Sequence, residues 1–395
     1  MDYLLVYMEE IEKNAPDVEQ EDTSSGNEVI TRPFNPNDIE IKTPPFAVGF
    51  LIDSIIRGEI NMNTEFQREG NLWSDAVQSR LIESILLGLP LPAFYFDTTN
   101  EKWDIIDGLQ RCCAIENFCI KKNLKLTGLE FLGKRNGEPY LEGLTFNELP
   151  LPLQTSIIRR QITVFQLSKA PRNVRYVLFK RLNTGGLVLT PQEIRNAIYQ
   201  GTAADTVKKF AQFPEFIQAT ENKIKTKRME DRDFVSRFIA FYLIDYTKYQ
   251  PGLDDFINSS MEILEETDIQ LLEENFKKAL HLSLDIFEND AFRKRINKND
   301  GRRPINKAYF EVIVSTFAKL RENEIIMLKQ NKELFKDNLL ILMNNNRFFY
   351  SLSQGTGTID SVRIRFSWFQ QVLQKSINEI KIEITDDNKI GNSEL

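Results

Sequence analysis

The sequence predicts an α+β N-terminal domain followed by a mostly α-helical region. Two observations carry this reading. Three short apolar runs, 93–97, 102–107 and 161–167, read as strands, the last alternating Ile162, Val164 and Phe165. From Pro171 onward, helical periodicity dominates to the end of the chain. No internal repeat or low-complexity tract interrupts it. The expected organisation is an acidic flexible arm over 1–34, an α+β domain over 35–170 and a helical domain over 171–395.

The elements follow in order. The pair Pro44-Pro45 precedes a helix over 46–57, with Phe50, Ile52, Ile55 and Ile56 on its apolar side and Gly58 as its stop. Residues 66–73 read as a loop. Ser74 then caps a helix over 75–87, with Val77, Leu81, Ile82 and Ile85 turned inward and Glu83 on the polar side. Gly88 and Pro90 end it. The strands 93–97 and 102–107 are joined by a polar turn at Thr99-Asn100-Glu101. The helix after Gly108 places Leu109, Cys112, Ile115 and Cys119 on one face. Further helices are expected over 172–182, 191–200, 231–249, 263–287, 305–321 and 362–379.

Composition narrows the function classes. The 395 residues carry a net charge of −7 and a sequence pI of about 5.2. Proteins that coat nucleic acid are usually basic, so general DNA wrapping is disfavoured, although a local basic pocket is compatible. Three cysteines, Cys112, Cys113 and Cys119, fall on one helix with no zinc-type spacing. They read as reduced, packed thiols, and a cytoplasmic location is expected. No apolar run reaches the roughly 20 residues that span a bilayer, so no membrane partner is expected. The N-terminus, with Glu9, Glu10, Glu12, Asp17, Glu19, Glu21 and Asp22, does not read as a secretory signal. His281 is the one histidine and sits among Leu280, Leu282 and Leu284. A Ser-His-Asp triad, a His-rich metal site or a His-Asn-His nuclease would all have to use it, and its surroundings match none of them.

Three loop-to-helix junctions could take an anion. The sequence lacks a Walker-type phosphate loop. The first junction is 107–111, where Gly108 lets a ligand approach the backbone. Arg111 lies where the helix start makes a lone cation mildly unfavourable and an anion welcome. The alternative reading is that Asp107 caps the helix and pairs with Arg111. The second junction is Phe66-Gln67-Arg68. The third is Arg181-Leu182-Asn183-Thr184-Gly185-Gly186, whose two glycines suit a phosphate nest or any sharp turn. The stretch Thr190-Pro191-Gln192-Glu193 reads as a capping box with proline at the first helical position, which makes Thr190 and Glu193 structural. The carboxylates near these junctions, Asp107, Glu69, Glu83 and Glu193, are the candidates to hold Mg²⁺ beside a triphosphate.

These motifs together resemble a known family. Phe66-Gln67-Arg68, Trp73, the run Leu81-Ile82-Glu83-Ser84-Ile85-Leu86-Leu87-Gly88-Leu89-Pro90-Leu91-Pro92, and Ile106-Asp107-Gly108-Leu109-Gln110-Arg111 are similar to the N-terminal domain of GmrSD-type modification-dependent restriction systems. So are Phe179-Lys180-Arg181-Leu182-Asn183-Thr184-Gly185-Gly186 and Gln192-Glu193-Ile194-Arg195-Asn196-Ala197, in the same order over about residues 40–200. The resemblance implies a ParB/sulfiredoxin-like domain with an Asp-Gly-Gln-Gln-Arg signature, nucleoside triphosphate binding and hydrolysis, and a part in bacterial defence against phage. It casts Asp107, Gln110 and Arg111 as catalytic. Gln67, Arg68, Gly108, Arg181, Asn183, Thr184, Gly185, Gly186 and Arg195 would contact phosphate, and Glu83 and Glu193 would hold Mg²⁺.

The sequence departs from the family pattern at Leu109, which stands where the signature has its first glutamine. A single histidine also leaves no His-Asn-His nuclease in this chain, so it would sense or switch while a separate nuclease or effector cuts DNA. Three readings remain open: a Mg²⁺-dependent nucleoside triphosphatase, a non-hydrolysing nucleotide- or DNA-binding module that could work as a homodimer, and an interaction protein whose turn is merely internally paired. A weak DNA-nicking activity is an outlying alternative.

Overall fold

The computed structural model describes residues 16–21, 36–62, 73–182, 189–384 and 390–392. The chain divides into two compact units, Phe34–Ile198, and Met1–Pro33 together with Tyr199–Leu395. The fold is α+β, with the strands concentrated in the first unit and helices dominating the second.

The first unit has strands β1 (Glu40–Lys42), β2 (Phe46–Ala47), β3 (Ile60–Asn61), β4 (Phe94–Asp97), β5 (Trp103–Asp107), β6 (Lys134–Arg135), β7 (Glu138–Pro139), β8 (Gln161–Ile162) and β9 (Val164–Lys169). Five of them form a mixed sheet in the order β1-β9-β4-β5-β3. The pairs β4 with β9 and β3 with β5 are parallel, and β4 with β5 is antiparallel. The helices are α1 (Val48–Ile56), α2 (Asp75–Leu87), α3 (Leu109–Ile115), α4 (Leu151–Arg159), α5 (Arg172–Leu182) and α6 (Pro191–Ile198). Phe94 and Phe96 from the central strand, Ile82 and Ile85 from α2, and Cys112 and Ile115 from α3 are all buried in one core. That core explains why β4 reads as nearly continuous apolar sequence.

Several expectations change. The first unit, expected to end at residue 170, runs on to Ile198, and α5 packs beside the sheet. Its Arg175 donates from Nη1 to Asp97 Oδ2 on β4 at 3.0 Å, and both side chains are buried. The apolar side of α1 is only in part the one expected: Ile55 is buried and Ile52 packs against the core. Phe50 and Ile56 are exposed, and Val48, Leu51, Ser54 and Ile55 are buried. Val77, expected to face inward on α2, is exposed, and Glu83, expected on its polar side, is buried. The strand expected over 161–167 is two strands, because the chain leaves the β2 pairing at Ile162 and enters the main sheet at Val164.

The second unit contains α7 (Thr202–Ala211), α8 (Pro214–Ala219), α9 (Glu230–Leu243), α10 (Leu253–Leu264), α11 (Ile269–Phe287), α12 (Lys307–Phe317), α13 (Glu322–Gln330), α14 (Lys332–Met343), α15 (Asn346–Ser351) and α16 (Ile359–Ile377). The single helix expected over 263–287 is two. Asp268 caps α11 by accepting from the Gln270 and Leu271 amides, which interrupts the run. Every residue of α12 from Ala308 to Phe317 is buried, as a helix apolar on nearly all sides requires. Aromatic rings fill the space around it: Phe238 stacks on Phe276 at 4.4 Å, and Phe234 meets Phe310 edge-on at 5.1 Å.

The exception within α12 is Glu311, whose side chain is 0% exposed. An ion so deeply placed must be paired and hydrogen-bonded. Arg365 of α16, equally enclosed, binds Glu311 Oε1 and donates from Nη1 to the Thr356 carbonyl at 2.7 Å. Arg237 of α9 donates to Glu311 Oε2 at 3.3 Å and to Glu21 Oε1 at 2.8 Å. Residues 16–21, expected to lie in a flexible arm, are therefore part of the helical unit.

Burial pushes the Glu21 carboxyl up, but Arg237 and Lys307 outweigh it, so this group sits below its ordinary value of 4.5. A carboxyl depressed in the fold adds stability above its unfolded pKa and withdraws it as pH falls through the folded one. Glu21→Gln is therefore expected to lower the melting temperature of the full chain at pH 7. It should also flatten the fall in stability below about pH 4.5 relative to the unsubstituted chain. Parallel acid limbs in a melting series from pH 7 to pH 3 would contradict this.

Candidate phosphate-binding turn

The strand β5 ends at Asp107, and α3 begins at Leu109, so one residue makes the reversal. Gly108 does so with a φ of +105°, a backbone state that residues with a Cβ rarely adopt. Space excludes a side chain as well, because a Cβ at Gly108 would lie 2.8 Å from Phe94 Cδ1 and 3.1 Å from Arg111 Nη2. The helix is capped by Gly108 without a side-chain hydrogen bond, so Asp107 is not the cap that one reading expected. Among the described residues, the amides of Leu109, Gln110 and Arg111 find no acceptor; Cys112 N–H is the first to be satisfied, by Gly108 O at 2.9 Å. Open amides of this kind give a helix start its affinity for anions. Beyond Ile115 the helix widens into a π-type turn over Glu116–Ile120.

Arg111 is 8% exposed. Its Nη2 donates to Asp107 Oδ2 at 2.8 Å and to the Ala93 carbonyl at 3.1 Å. Its guanidinium carbon lies 5.0 Å from the centre of the Phe94 ring, a cation–π placement. The pairing half of the alternative reading therefore holds. The buried Nε of Arg111, however, has no hydrogen-bond partner among the described residues.

The neighbouring groups have distinct tasks. Gln110 Oε1 accepts from Trp73 N–H at 3.3 Å, Gln78 Nε2 donates to Trp73 O at 3.0 Å, and Asn117 Nδ2 donates to Gln78 Oε1 at 3.0 Å. This chain of amides fixes Trp73 at the entrance to α2. Leu109 packs against the hydrophobic core, where leucine is the appropriate residue and a glutamine would bury an amide.

The magnesium ligands expected from the sequence are engaged elsewhere. Glu83, 3% exposed, accepts the amides of Glu130, Phe131 and Leu132 at 3.0, 2.7 and 2.7 Å. It pins the loop after α3, with both of its oxygens taken up by backbone amides. Glu193 accepts the Thr190 amide at 2.7 Å, while Thr190 Oγ1 accepts the Glu193 amide at 3.1 Å, which is the capping box read from the sequence. Among the described residues, no cluster of three or more His, Cys, Asp and Glu could hold a metal ion. Arg195, expected at phosphate, is 1% exposed and donates to Gln192 Oε1. Arg181 is exposed in the last turn of α5. Gln67, Arg68, Asn183, Thr184, Gly185 and Gly186 lie outside the described residues.

Burial raises all three thiols, Cys113 to about 11 and Cys119 to about 12, with Cys112 shifted in the same direction. None is a ready nucleophile at neutral pH. His281 lies exposed on α11, apart from this turn in sequence and unit. Sequence reasoning missed Phe94 beneath the guanidinium, because no sequence spacing links β4 to α3. It also missed Arg160, whose Nε donates to Ile85 O at 3.0 Å beside the left-handed Gly88 and so caps α2. Gly108→Ala is expected to cost about 1–3 kcal/mol in urea unfolding from backbone strain alone. An unchanged midpoint would show that the turn can relax.

Among the described residues, no helix is long and apolar enough to cross a membrane. No curated protein and no solved structure matches the chain. A family model does: residues 49–200 match the GmrSD restriction endonuclease, N-terminal domain. The match ends close to the last residue of the first unit, Ile198, and spans the turn at Gly108, the Glu83 clamp and the capping box. Residues 49–200 therefore belong to the GmrSD restriction endonuclease N-terminal domain family.

Proposed function

We propose that this domain of a restriction system takes the phosphate groups of a nucleoside triphosphate at the 107–111 turn, and that the bound nucleotide acts as a sensing or switching signal. The observation that carries the reading is the coincidence of a buried Arg111 Nε lacking a partner with the open amides of Leu109 and Gln110 at a left-handed glycine. A phosphate oxygen would satisfy both. Arg111 would then act as a fork fixed from behind by Asp107 and Phe94. Asp107 is the carboxylate that a magnesium ion carried in by the triphosphate would meet, since Glu83 is spent on backbone amides.

Binding is favoured over hydrolysis because Gln110 is committed to Trp73 and Asp107 to Arg111, so neither is free to orient a water. A second reading also has an observation behind it: Arg111 is nearly enclosed by its own neighbours, as an internally paired structural turn would be. A separate nuclease or effector protein, or DNA, is the proposed recipient of the signal.

The test is a thermal-shift screen of the common nucleoside triphosphates, with and without magnesium, read beside phosphate release. The intact chain should melt several degrees higher with one of them. Arg111→Lys keeps the charge but loses the fork, and it should abolish the shift while still showing a cooperative melting transition without nucleotide. No shift with any triphosphate would select the structural reading. Phosphate release lost in Arg111→Lys would extend the function to hydrolysis.

A further inference from the structure

The segment 16–21 meets the helical unit in a way that resembles a bound peptide. Val18 forms a parallel bridge with Ile305, the Glu19 amide donates to Ile305 O at 2.8 Å, and the Ile305 amide donates to Asp17 O at 3.0 Å. In extended chain, alternate side chains share a face, and the alternate residues here are Asp17, Glu19 and Glu21. Each carboxylate has its own cation. Lys223 lies 3.1 Å from Asp17, Lys294 lies 2.6 Å from Glu19, and Arg237 embraces Glu21. Further donors converge on the same carboxylates, Asn306 Nδ2 on Glu19 Oε2 and Thr356 Oγ1 on Glu21 Oε1, both at 3.1 Å.

The receiving side is built for this charge. Lys294 is 4% exposed, and Glu19 is its single carboxylate among the described residues. Its other neighbours are the Ser353 hydroxyl and the Phe349 ring. The buried Arg237 faces Glu311 from Nη1 at 3.3 Å and Asp233 from Nε at 3.5 Å, besides Glu21. Without the segment, a buried ammonium would stand uncompensated, which is strongly unfavourable. The groove selects extended backbone and carboxylates two residues apart. A phosphodiester offers the charge but not the amide and carbonyl that pair with Ile305.

We propose that the helical unit carries a receptor for an extended acidic peptide with carboxylates at alternate positions, that residues 17–21 occupy it in cis, and that a partner protein presenting the same pattern displaces them. The occupied groove is the resting state, and exchange exposes the acidic segment. This proposal is independent of the turn at Gly108.

The experiment uses the full chain carrying Glu19→Gln and Glu21→Gln, with a fluorescein-labelled peptide of sequence Pro-Asp-Val-Glu-Gln-Glu followed by anisotropy. A tethered segment competes at an effective concentration of about millimolar, so the variant should bind the peptide at least about tenfold more tightly than the unsubstituted chain. A peptide with glutamine for both glutamates should bind neither. If the double variant does not fold, Glu19→Gln alone serves, and added unlabelled peptide should raise its melting temperature. Equal affinity for the two chains, no rise in melting temperature, or stronger binding of a single-stranded oligonucleotide than of the peptide would overturn the proposal.

Discussion

One left-handed residue sets the geometry of the α+β unit. Gly108 turns β5 into α3 without an intervening loop, so the first turn of the helix lies directly beneath the end of β4. That placement brings Arg111 within reach of Asp107 on the preceding strand and over the Phe94 ring. Among the described residues, it also leaves the amides of Leu109, Gln110 and Arg111 without an acceptor. The guanidinium is thereby held in one orientation by Asp107, the Ala93 carbonyl and the Phe94 ring. The same enclosure limits what can reach it.

The helical unit solves a different problem. Its central helix carries a carboxylate, Glu311, where water has no access. Two arginines from separate helices converge on it, and one of them reaches on to Glu21. Replacing such a network with apolar residues often costs little, whereas removing one member costs much. A chain that keeps it gains a specific arrangement of α9, α12 and α16 around one point. It also keeps a basic groove whose charge is balanced by a segment distant in sequence. Both units thus place buried cations against acidic partners, at Asp107 in one and at Glu19 and Glu21 in the other.

Much of this was legible in local sequence. Asp107 and Arg111 are four residues apart across a glycine, and their pairing follows from that spacing. The capping box at Thr190 and Glu193 was read directly, as was the helix from Arg172 to Leu182 after its proline. Local patterns fail where a partner is distant. Glu83 looked like a solvated residue because its three amide donors lie nearly fifty residues downstream. Phe50 and Ile56 looked like core because apolar spacing says nothing about which face of a short helix is covered. The break at Asp268 was hidden because a capping aspartate within a periodic run resembles a polar helix position. The place of α5 beside the sheet is marked by Arg175 reaching Asp97, a contact no periodicity announces.

The most direct measurement is the nitrogen–proton NMR signal of the Arg111 Nε group in the full chain, recorded while inorganic triphosphate and magnesium are added. If the buried Nε is the unfilled half of a phosphate fork, its proton should move strongly downfield and exchange more slowly with water, and the amide of Leu109 should move with it. A signal that stays in place at saturating triphosphate, with Leu109 unmoved, would contradict the account and leave the turn as an internally paired element of the fold.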